Sequence, residues 1–512
     1  MDSFAIIIFG ITGNLAQKYL IPTLYDMEEK DLLPKGVTIV GIARRKMSDT
    51  NLKEYIHQVL HQENIHHKHK IKMDIFKKLC ARINYISGEI EDQNLYAKLK
   101  EYLKHDNRIY YLATYPDLYH YIFENLQKHK LNIQNSGWVR LMIEKPIGHD
   151  LSSAKALNEL LLKYFEENQI FRIDHYLGKE TVQNILTFRF ANGIFEPLIN
   201  KEYIDHIQIT ATEDFGIGKR GGYYDLVGAL KDVGQNHLLQ MLAFATMDAP
   251  SEFSNEAVTL ERIKILKNLV PLPKNLVFGQ YEGYRQEENV DSNSQTETFF
   301  AFKTYLNSER FKDVPIYVRA GKKLKQTATE ISMVFKEPSN KLFKYIKDEP
   351  NVLTFSSQTK RQGSASASYN NSQRSAQQVL IYRIQPNEGI VFKILTKTPG
   401  HKVKLKSEYM QYCYRIDPHT HYIPDPYERL LVDIINGDQT FFNDAEEVEA
   451  QWAFIDEVIR PSRQASLIDP LAKARDKPYI YKPGAWGPKE ADELLEADGR
   501  TWLEPSMDFC RI

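Results

Sequence analysis

The six residues Phe4-Ala5-Ile6-Ile7-Ile8-Phe9 carry no polar side chain and run straight into Gly10-Ile11-Thr12-Gly13-Asn14-Leu15-Ala16. A strand that is apolar at every position has both faces covered, as in the parallel sheet of an α/β fold. A helical stretch follows the glycines, with Leu20, Leu24 and Met27 on one face. Strand, glycine turn and helix in that order aim backbone N–H groups at a helix N-terminus, where a pyrophosphate can sit. The spacing is G-x-x-G-x-x-A, not G-x-G-x-x-G. Taken alone, it also describes a tight structural turn.

The second apolar run, Val37 to Ile42, narrows the reading, because it ends in Ala43-Arg44-Arg45-Lys46. A site that prefers NAD usually places an acid here for the ribose 2′-hydroxyl. Two guanidiniums instead suit a 2′-phosphate, which they can grip bidentately, so the expected coenzyme is NADP. A solvated basic turn is the plainer alternative. Arg108 to Thr114, Val139 to Pro146 and Phe171 to Ile173 read as further strands. Lys145 stands at a strand's C-terminal end, where ligands of open α/β sheets gather, and its bond to Pro146 is a candidate for cis. Residues 51–105 read as helical and polar. His57, His61, His66, His67 and His69 among them are read as a solvated helix–loop surface, the alternative being a metal site, which needs convergent geometry and usually an acidic or thiol co-ligand. This alternation gives a doubly wound NADP-binding domain over residues 1–175.

Beyond it the pattern changes. Asp205 to Glu213, Glu297 to Leu306, Pro315 to Ala320, Ile331 to Lys336, Val379 to Gln385 and Ile390 to Thr396 read as strands not each separated by a helix. Such runs predict an α+β domain with a large, mostly antiparallel sheet over residues 176–512. One long amphipathic helix interrupts them, Tyr223 to Met247, with Leu226, Leu230, Leu238, Met241 and Leu242 as its apolar stripe. It carries Asp232 and His237, the latter equally readable as a core histidine. Ser356 to Gln378 is Ser/Asn/Gln-rich and reads as a mobile loop.

At 512 residues, two or three domains are expected. The net charge of −1 gives no footprint for nucleic acid or an anionic membrane. The N-terminal apolar run is too short to span a bilayer and lacks the basic flank of a signal peptide. Cys80, Cys413 and Cys510 are far apart in the chain, which suits a reducing cytosol and argues against a disulfide framework.

The densest chemistry lies in Arg172-Ile173-Asp174-His175-Tyr176-Leu177-Gly178-Lys179-Glu180, at a strand end leading into the apolar run Val182 to Phe190. Rigid elements on both sides would hold these groups still. Neighbours in an extended segment point to opposite faces, so Asp174 and His175 would do different jobs. A salt-bridged strand end is the alternative for the pair in isolation.

The chain resembles the glucose-6-phosphate dehydrogenase family over nearly its whole length. The resemblance is carried by the Gly10 to Ala16 turn, Ala43-Arg44, Glu144-Lys145-Pro146 and the Arg172 to Glu180 string. It continues through Arg189-Phe190-Ala191-Asn192, Arg220-Gly221-Gly222-Tyr223-Tyr224-Asp225, Lys231 to His237, Arg319-Ala320-Gly321-Lys322 and Gln385-Pro386-Asn387-Glu388. The resemblance implies oxidation of glucose 6-phosphate at C1 to the 6-phospho-lactone, with hydride passing to NADP+. It implies His237 as general base with Asp174 orienting it. His175, Tyr176 and Lys179 would bind the phosphate, and Glu213, Asp232 and Lys322 the sugar hydroxyls. Lys145 would lie between coenzyme and sugar, and Gly10, Thr12, Gly13, Asn14, Leu15, Arg44 and Arg45 would bind the coenzyme. No metal is implied, because hydride chemistry belongs to the nicotinamide. The resemblance further implies a cytoplasmic homodimer or homotetramer at the first step of the oxidative pentose phosphate route.

Some positions depart from the family. Asn14 replaces the usual Asp, and both cap a helix well. Thr327 stands where a lysine is common, with Lys325 close by. Asp232 and His237, five apart on an α-helix, are expected to flank a cleft and not to share a face. An NADP-linked enzyme for another aldose, or a sensor that binds NADP without turnover, are the alternatives. Phosphate-type donors at 175–179 argue against the first, and retention of both Asp174 and His237 against the second.

Overall fold

The computed structural model describes residues 3–61, 71–103, 105–134, 137–338, 377–415, 422–468, 477–507 and 509–510. The chain divides into two compact units, one of Met1–Gln183, Asp248–Leu266 and Pro424–Asp456, the other of Asn184–Met247, Lys267–Ile423 and Glu457–Ile512. The first therefore runs past the expected boundary at 175 and takes in two later segments from within the expected 176–512. The reason is burial. The helix Pro426–Asn436 contributes Leu430, Leu431 and Ile434 to the same core as Ile6, Ile8 and Ile39, surface that a cut at 175 would leave wet.

The first unit is built on strands β1 (Ala5–Phe9), β2 (Thr38–Ala43), β3 (Ile83–Ser87), β4 (Arg108–Leu112), β5 (Val139–Ile143) and β6 (Ile170–Arg172), in the order β3-β2-β1-β4-β5-β6. Every pairing is parallel, with Ile7 opposite Val40 and Tyr110. Along β1, Ile6 and Ile8 enter one hydrophobic core while Ala5, Ile7 and Phe9 enter the other. Period-2 alternation between two cores is why the strand is apolar throughout. β3 is not apparent in the sequence, where residues 51–105 read as helical. Its Ile83-Asn84-Tyr85-Ile86-Ser87 is short and only Ile86 is fully buried, the signature of an edge strand. His57 and His61 lie side by side, their rings tilted, at the end of the helix Asp49–Leu60, whereas His66, His67 and His69 lie outside the described residues.

The second unit carries β7 (Ile204–Thr212), β8 (Leu269–Val270), β9 (Leu276–Tyr281), β10 (Phe299–Leu306), β11 (Ile316–Gly321), β12 (Ala328–Phe335), β13 (Val379–Gln385), β14 (Gly389–Lys397), β15 (Leu405–Cys413) and β16 (Tyr479–Tyr481). Among the described residues they form one sheet, β15-β14-β13-β12-β7-β11-β10-β9-β16, with β8 on β10. Only the β7–β11 and β9–β16 pairings are parallel. The sheet is thus mostly antiparallel, as its strand runs predict. The Ser-rich stretch falls, over residues 356–376, outside the described residues.

Two expectations are corrected in this unit. The helix expected over Tyr223 to Met247 is three pieces: Gly221–Ala229, a π-helix over Leu230–Leu238, and Leu239–Thr246. The break is at Gly228, which adopts φ +74°, a conformation glycine enters without steric penalty. The break takes Leu226 out of the apolar stripe. It is 86% exposed, while Leu230, Leu238, Met241 and Leu242 are fully buried. The second correction concerns cysteine. Cys413 and Cys510 form a disulfide with Cα atoms 5.1 Å apart, closing the C-terminal segment onto β15. A separation of 97 residues hid their meeting from a reading of spacing. Cys80 is buried and free, its thiol pushed up to about 11 by burial. No helix among the described residues is long and apolar enough to cross a membrane.

Candidate functional site

In the first unit, the turn after β1 folds by its own backbone. The Gly10 N–H donates to the Ile42 carbonyl at 2.8 Å and the Gly13 N–H to the Gly10 carbonyl at 2.8 Å. Gly10 has φ +92°, and a Cβ there would stand 2.4 Å from the Ala113 oxygen. Only glycine fits so close a crossing of β1 and β4. Thr12, Gly13 and Leu15 are half-buried and Asn14 is exposed, and a π-wound turn follows over Ala16–Leu20. Such turns recur at functional sites.

Arg44 and Arg45 are exposed just past β2. Their backbones are pinned by β3: Tyr85 donates to the Arg45 carbonyl, and Ser87 Oγ donates to that of Arg44 at 3.4 Å. The guanidiniums remain on the surface and no acid occupies this strand end. A cradle closed to any Cβ, with two arginines at the neighbouring strand end, fits a dinucleotide bearing a 2′-phosphate.

Lys145, half-buried, follows β5, and its bond to Pro146 is cis. Beside it lies a group that the sequence reading passed over. Glu144 is 7% exposed, accepts from Tyr111 Oη at 2.8 Å and is also hydrogen-bonded by Tyr427. Burial pushes its carboxyl up to about 7, against the lowering effect of those two phenols and of Lys145.

The Arg172 to Glu180 string leaves β6 as expected. Arg172 is fully buried and paired with Glu167, which fixes the strand end. Asp174 is 2% exposed and its Oδ1 accepts the Tyr176 N–H at 2.9 Å, curling the chain into a turn. His175 and Lys179 stay partly open. The His175 and Tyr176 rings meet edge to face at 5.0 Å, and Lys179 Nζ lies 4.7 Å from the Tyr176 ring centroid. Asp174 and the Tyr176 ring are thus held inside, while His175 and Lys179 reach toward the surface. The helix Glu180–Phe190 then begins.

In the second unit, the π-helix Leu230–Leu238 carries Asp232 and His237, 7% and 2% exposed. An α-helix would set residues five apart about 140° around the axis. A π-helix turns less per residue, so the same separation leaves Asp232 and His237 closer around the axis than the expected α-helix would. Glu297, also unnoticed in the sequence, holds the start of this helix. Its Oε1 accepts the Leu230 N–H at 3.1 Å and its carbonyl accepts the Ala229 N–H at 3.1 Å. Burial pushes this carboxyl, too, up to about 7.

Lys322, just past β11, is 3% exposed and paired with Glu213, just past β7. The two strands run parallel with Gly321 opposite Thr212, so the pair forms at matched strand ends. Lys322 Nζ lies 5.3 Å from the ring centroid of Tyr224, which is fully buried. The Tyr224 phenol is raised well above its ordinary value by burial, with Asp232, Glu297 and Glu213 adding to the effect. Tyr224 therefore lies within electrostatic reach of Asp232, Glu213 and Lys322. Thr327 Oγ1 donates to Asp214 Oδ1 at 2.6 Å, while Lys325 pairs with Glu504 at 3.0 Å. Lys325 and Thr327 thus have different partners in this structure. Asp174 belongs to the first unit and His237 to the second.

Comparison with known proteins covers both units. The family described as "Glucose-6-phosphate dehydrogenase, NAD binding domain" matches residues 7–184, and "Glucose-6-phosphate dehydrogenase, C-terminal domain" matches 186–368 and 361–503. A glucose-6-phosphate 1-dehydrogenase of Chlamydia muridarum is 38% identical over 97% of this chain and 96% of its own. One from Borreliella burgdorferi is 36% identical over 97% and 98%. Among solved structures, a glucose-6-phosphate dehydrogenase in complex with its substrate glucose-6-phosphate superposes with TM-score 0.83 at 31% identity, covering 98% of this chain and 99% of that one. The Mycobacterium avium glucose-6-phosphate 1-dehydrogenase gives TM-score 0.82 at 30% identity over 99% of both chains.

Proposed function

Because this chain belongs to the glucose-6-phosphate dehydrogenase family, we propose that it oxidises C1 of glucose 6-phosphate with NADP+ and that His237 and Asp174 share the proton chemistry. NADP+ supplies the hydride acceptor. C1 gives up its hydrogen with both electrons, the C1 hydroxyl gives its proton to the His237 imidazole, and the new C=O is that of the 6-phospho-lactone. The proton must leave as the hydride does, so a base within hydrogen-bond reach of O1 is required. Asp174 orients that imidazole and stabilises its charged form, the logic of a His–Asp pair.

His175, Tyr176 and Lys179 hold the phosphate dianion, and Lys145 lies between coenzyme and sugar. Glu213, Asp232 and Lys322 read the sugar hydroxyls, where buried polar groups reject a substrate that leaves them unpaired. Gly10, Thr12, Gly13, Asn14 and Leu15 take the pyrophosphate side, and Arg44 and Arg45 the 2′-phosphate. The single observation that supports this most is the turn past β6, with Asp174 at 2% exposure beside a partly open His175 and Lys179. The family reading also makes the protein a homodimer or homotetramer at the entry to the oxidative pentose phosphate route in the cytoplasm. Sedimentation of the purified chain reads the first of these.

The test is nicotinamide absorbance with glucose 6-phosphate, against NADP+ and NAD+, repeated with unphosphorylated glucose. Fast reduction of NADP+ that requires the phosphorylated sugar is the expected result. Equal turnover of glucose would remove His175, Tyr176 and Lys179 from the phosphate role, and absence of turnover with bound NADP+ would leave a sensor.

A further inference from the structure

The phosphate-binding turn is gripped by a helix that begins some 250 residues downstream, and it is gripped in three places. Asp425-Pro426-Tyr427 is an N-cap, N1, N2 sequence: Asp425 Oδ1 accepts the Tyr427 N–H at 2.9 Å, and proline occupies the first helical position. The backbone that presents Tyr427 is therefore fixed before its side chain makes any contact.

That side chain is 5% exposed. Its ring stacks on His175 with centroids 6.4 Å apart and planes 14° from parallel. The ring also stacks on Tyr19, in the π-wound turn after the glycines, at 4.8 Å and 13°. Its hydroxyl bonds Glu144, which also accepts from Tyr111. Burial holds the Glu144 carboxyl near neutrality, and as it ionises both phenol bonds tighten. On either side of Tyr427 the same first turn grips the string again. A Cβ on Gly178 would stand 2.6 Å from the Pro426 oxygen, and Arg429 pairs with Glu180.

We infer that Tyr427 is a positioning residue for the sugar phosphate, holding the His175 imidazole in register by ring stacking while Glu144 pins its hydroxyl. The inference rests on the phosphate role given above to His175. Tyr427 touches neither substrate nor coenzyme in this account; it acts through His175. A stacked pair within this range of centroid distances is worth enough to set a ring's orientation.

The experiment measures kcat and KM for glucose 6-phosphate, and turnover of unphosphorylated glucose at high concentration, in the full chain and in Tyr427→Leu, Tyr427→Phe and Arg429→Met. Tyr427→Leu should raise KM for glucose 6-phosphate roughly tenfold and leave glucose turnover within about twofold. Tyr427→Phe keeps the stack and loses the pin, so the same selective rise should be about threefold. A residue with only a structural role would lower both substrates together, and that result overturns the inference. If Tyr427→Leu does not fold, Tyr427→Phe and Arg429→Met decide by the same selectivity; KM unchanged in both overturns it. A wild-type chain without preference for the phosphorylated sugar overturns the His175 reading and this one with it. A wild type with that preference and unselective variants overturns this inference alone.

Discussion

In the first unit Asp174, His175, Tyr176 and Lys179 fall within six consecutive positions just past β6, where the strand end delivers them together. In the second, Glu213 and Lys322 are paired across 109 residues, and Asp232 and His237 depend on how one helix is wound. Position at the end of a parallel strand is written locally, because the strand's apolar run and the polar residues after it are contiguous. Winding is not. Nothing in Leu230-Lys231-Asp232-Val233-Gly234 announces an i→i+5 ladder, which Glu297 supports from outside the helix.

The largest expected effect tests the second unit's share of the chemistry. His237→Asn should lower kcat by about a hundredfold or more with NADP+ affinity nearly unchanged. Near-normal turnover would take His237 out of the base role. Next comes the first unit's share. Arg44→Ala should weaken NADP+ by roughly tenfold to a hundredfold while NAD+ is little affected, as read by KM for each coenzyme. Equal losses for both would show that Arg44 does not read the 2′-phosphate.

Smaller effects probe the supports. Gly228→Ala forces a Cβ to φ +74° and to 2.3 Å from Glu297 Oε1. A loss of about 2 kcal/mol in urea unfolding is expected, with a fall in kcat because the π-helix begins there. Unfolding at wild-type stability would mean that the break at Gly228 is incidental. The least at any one pH is the titration of the two buried acids. Glu144 and Glu297 are raised from 4.5 to about 7 by burial, so the folded chain keeps protons that the unfolded chain releases. Stability should therefore fall as pH rises from about 4.5 to about 7. Glu144→Gln and Glu297→Gln should each flatten that fall, measured by denaturant midpoints at about pH 5 and about pH 8. A slope that neither variant changes would show that these carboxyls do not titrate in that window.

The first unit was more legible than the second, for reasons visible in particular residues. β1, β2, β4, β5 and β6 were found because two-sided burial makes them apolar, and β3 was lost because its edge position does not. Arg44 is singled out by its place just after a strand. Tyr427 and Glu144 are not legible in the sequence because the bond between them spans more than 280 residues, which periodicity does not encode. In the second unit the antiparallel sheet followed from strand runs without helices between them. Leu226 was misread because one glycine resets the helical phase, and Cys413–Cys510 because spacing is silent about chain return. Thr327 was seen as a departure, yet only its bond to Asp214 explains how the polar residue is satisfied there.

The π-helix has a consequence for anyone who would move or shorten this segment. Residues 230–238 keep the present angle between Asp232 and His237 around the axis only while the helix stays π-wound. Rewinding the same residues as an α-helix would set the imidazole about 140° from the aspartate around the axis. The winding of the segment is thus as exacting as its composition. Grafting Asp232-Val233-Gly234-Gln235-Asn236-His237 letter for letter into an ordinary helix would carry over the residues and lose the arrangement.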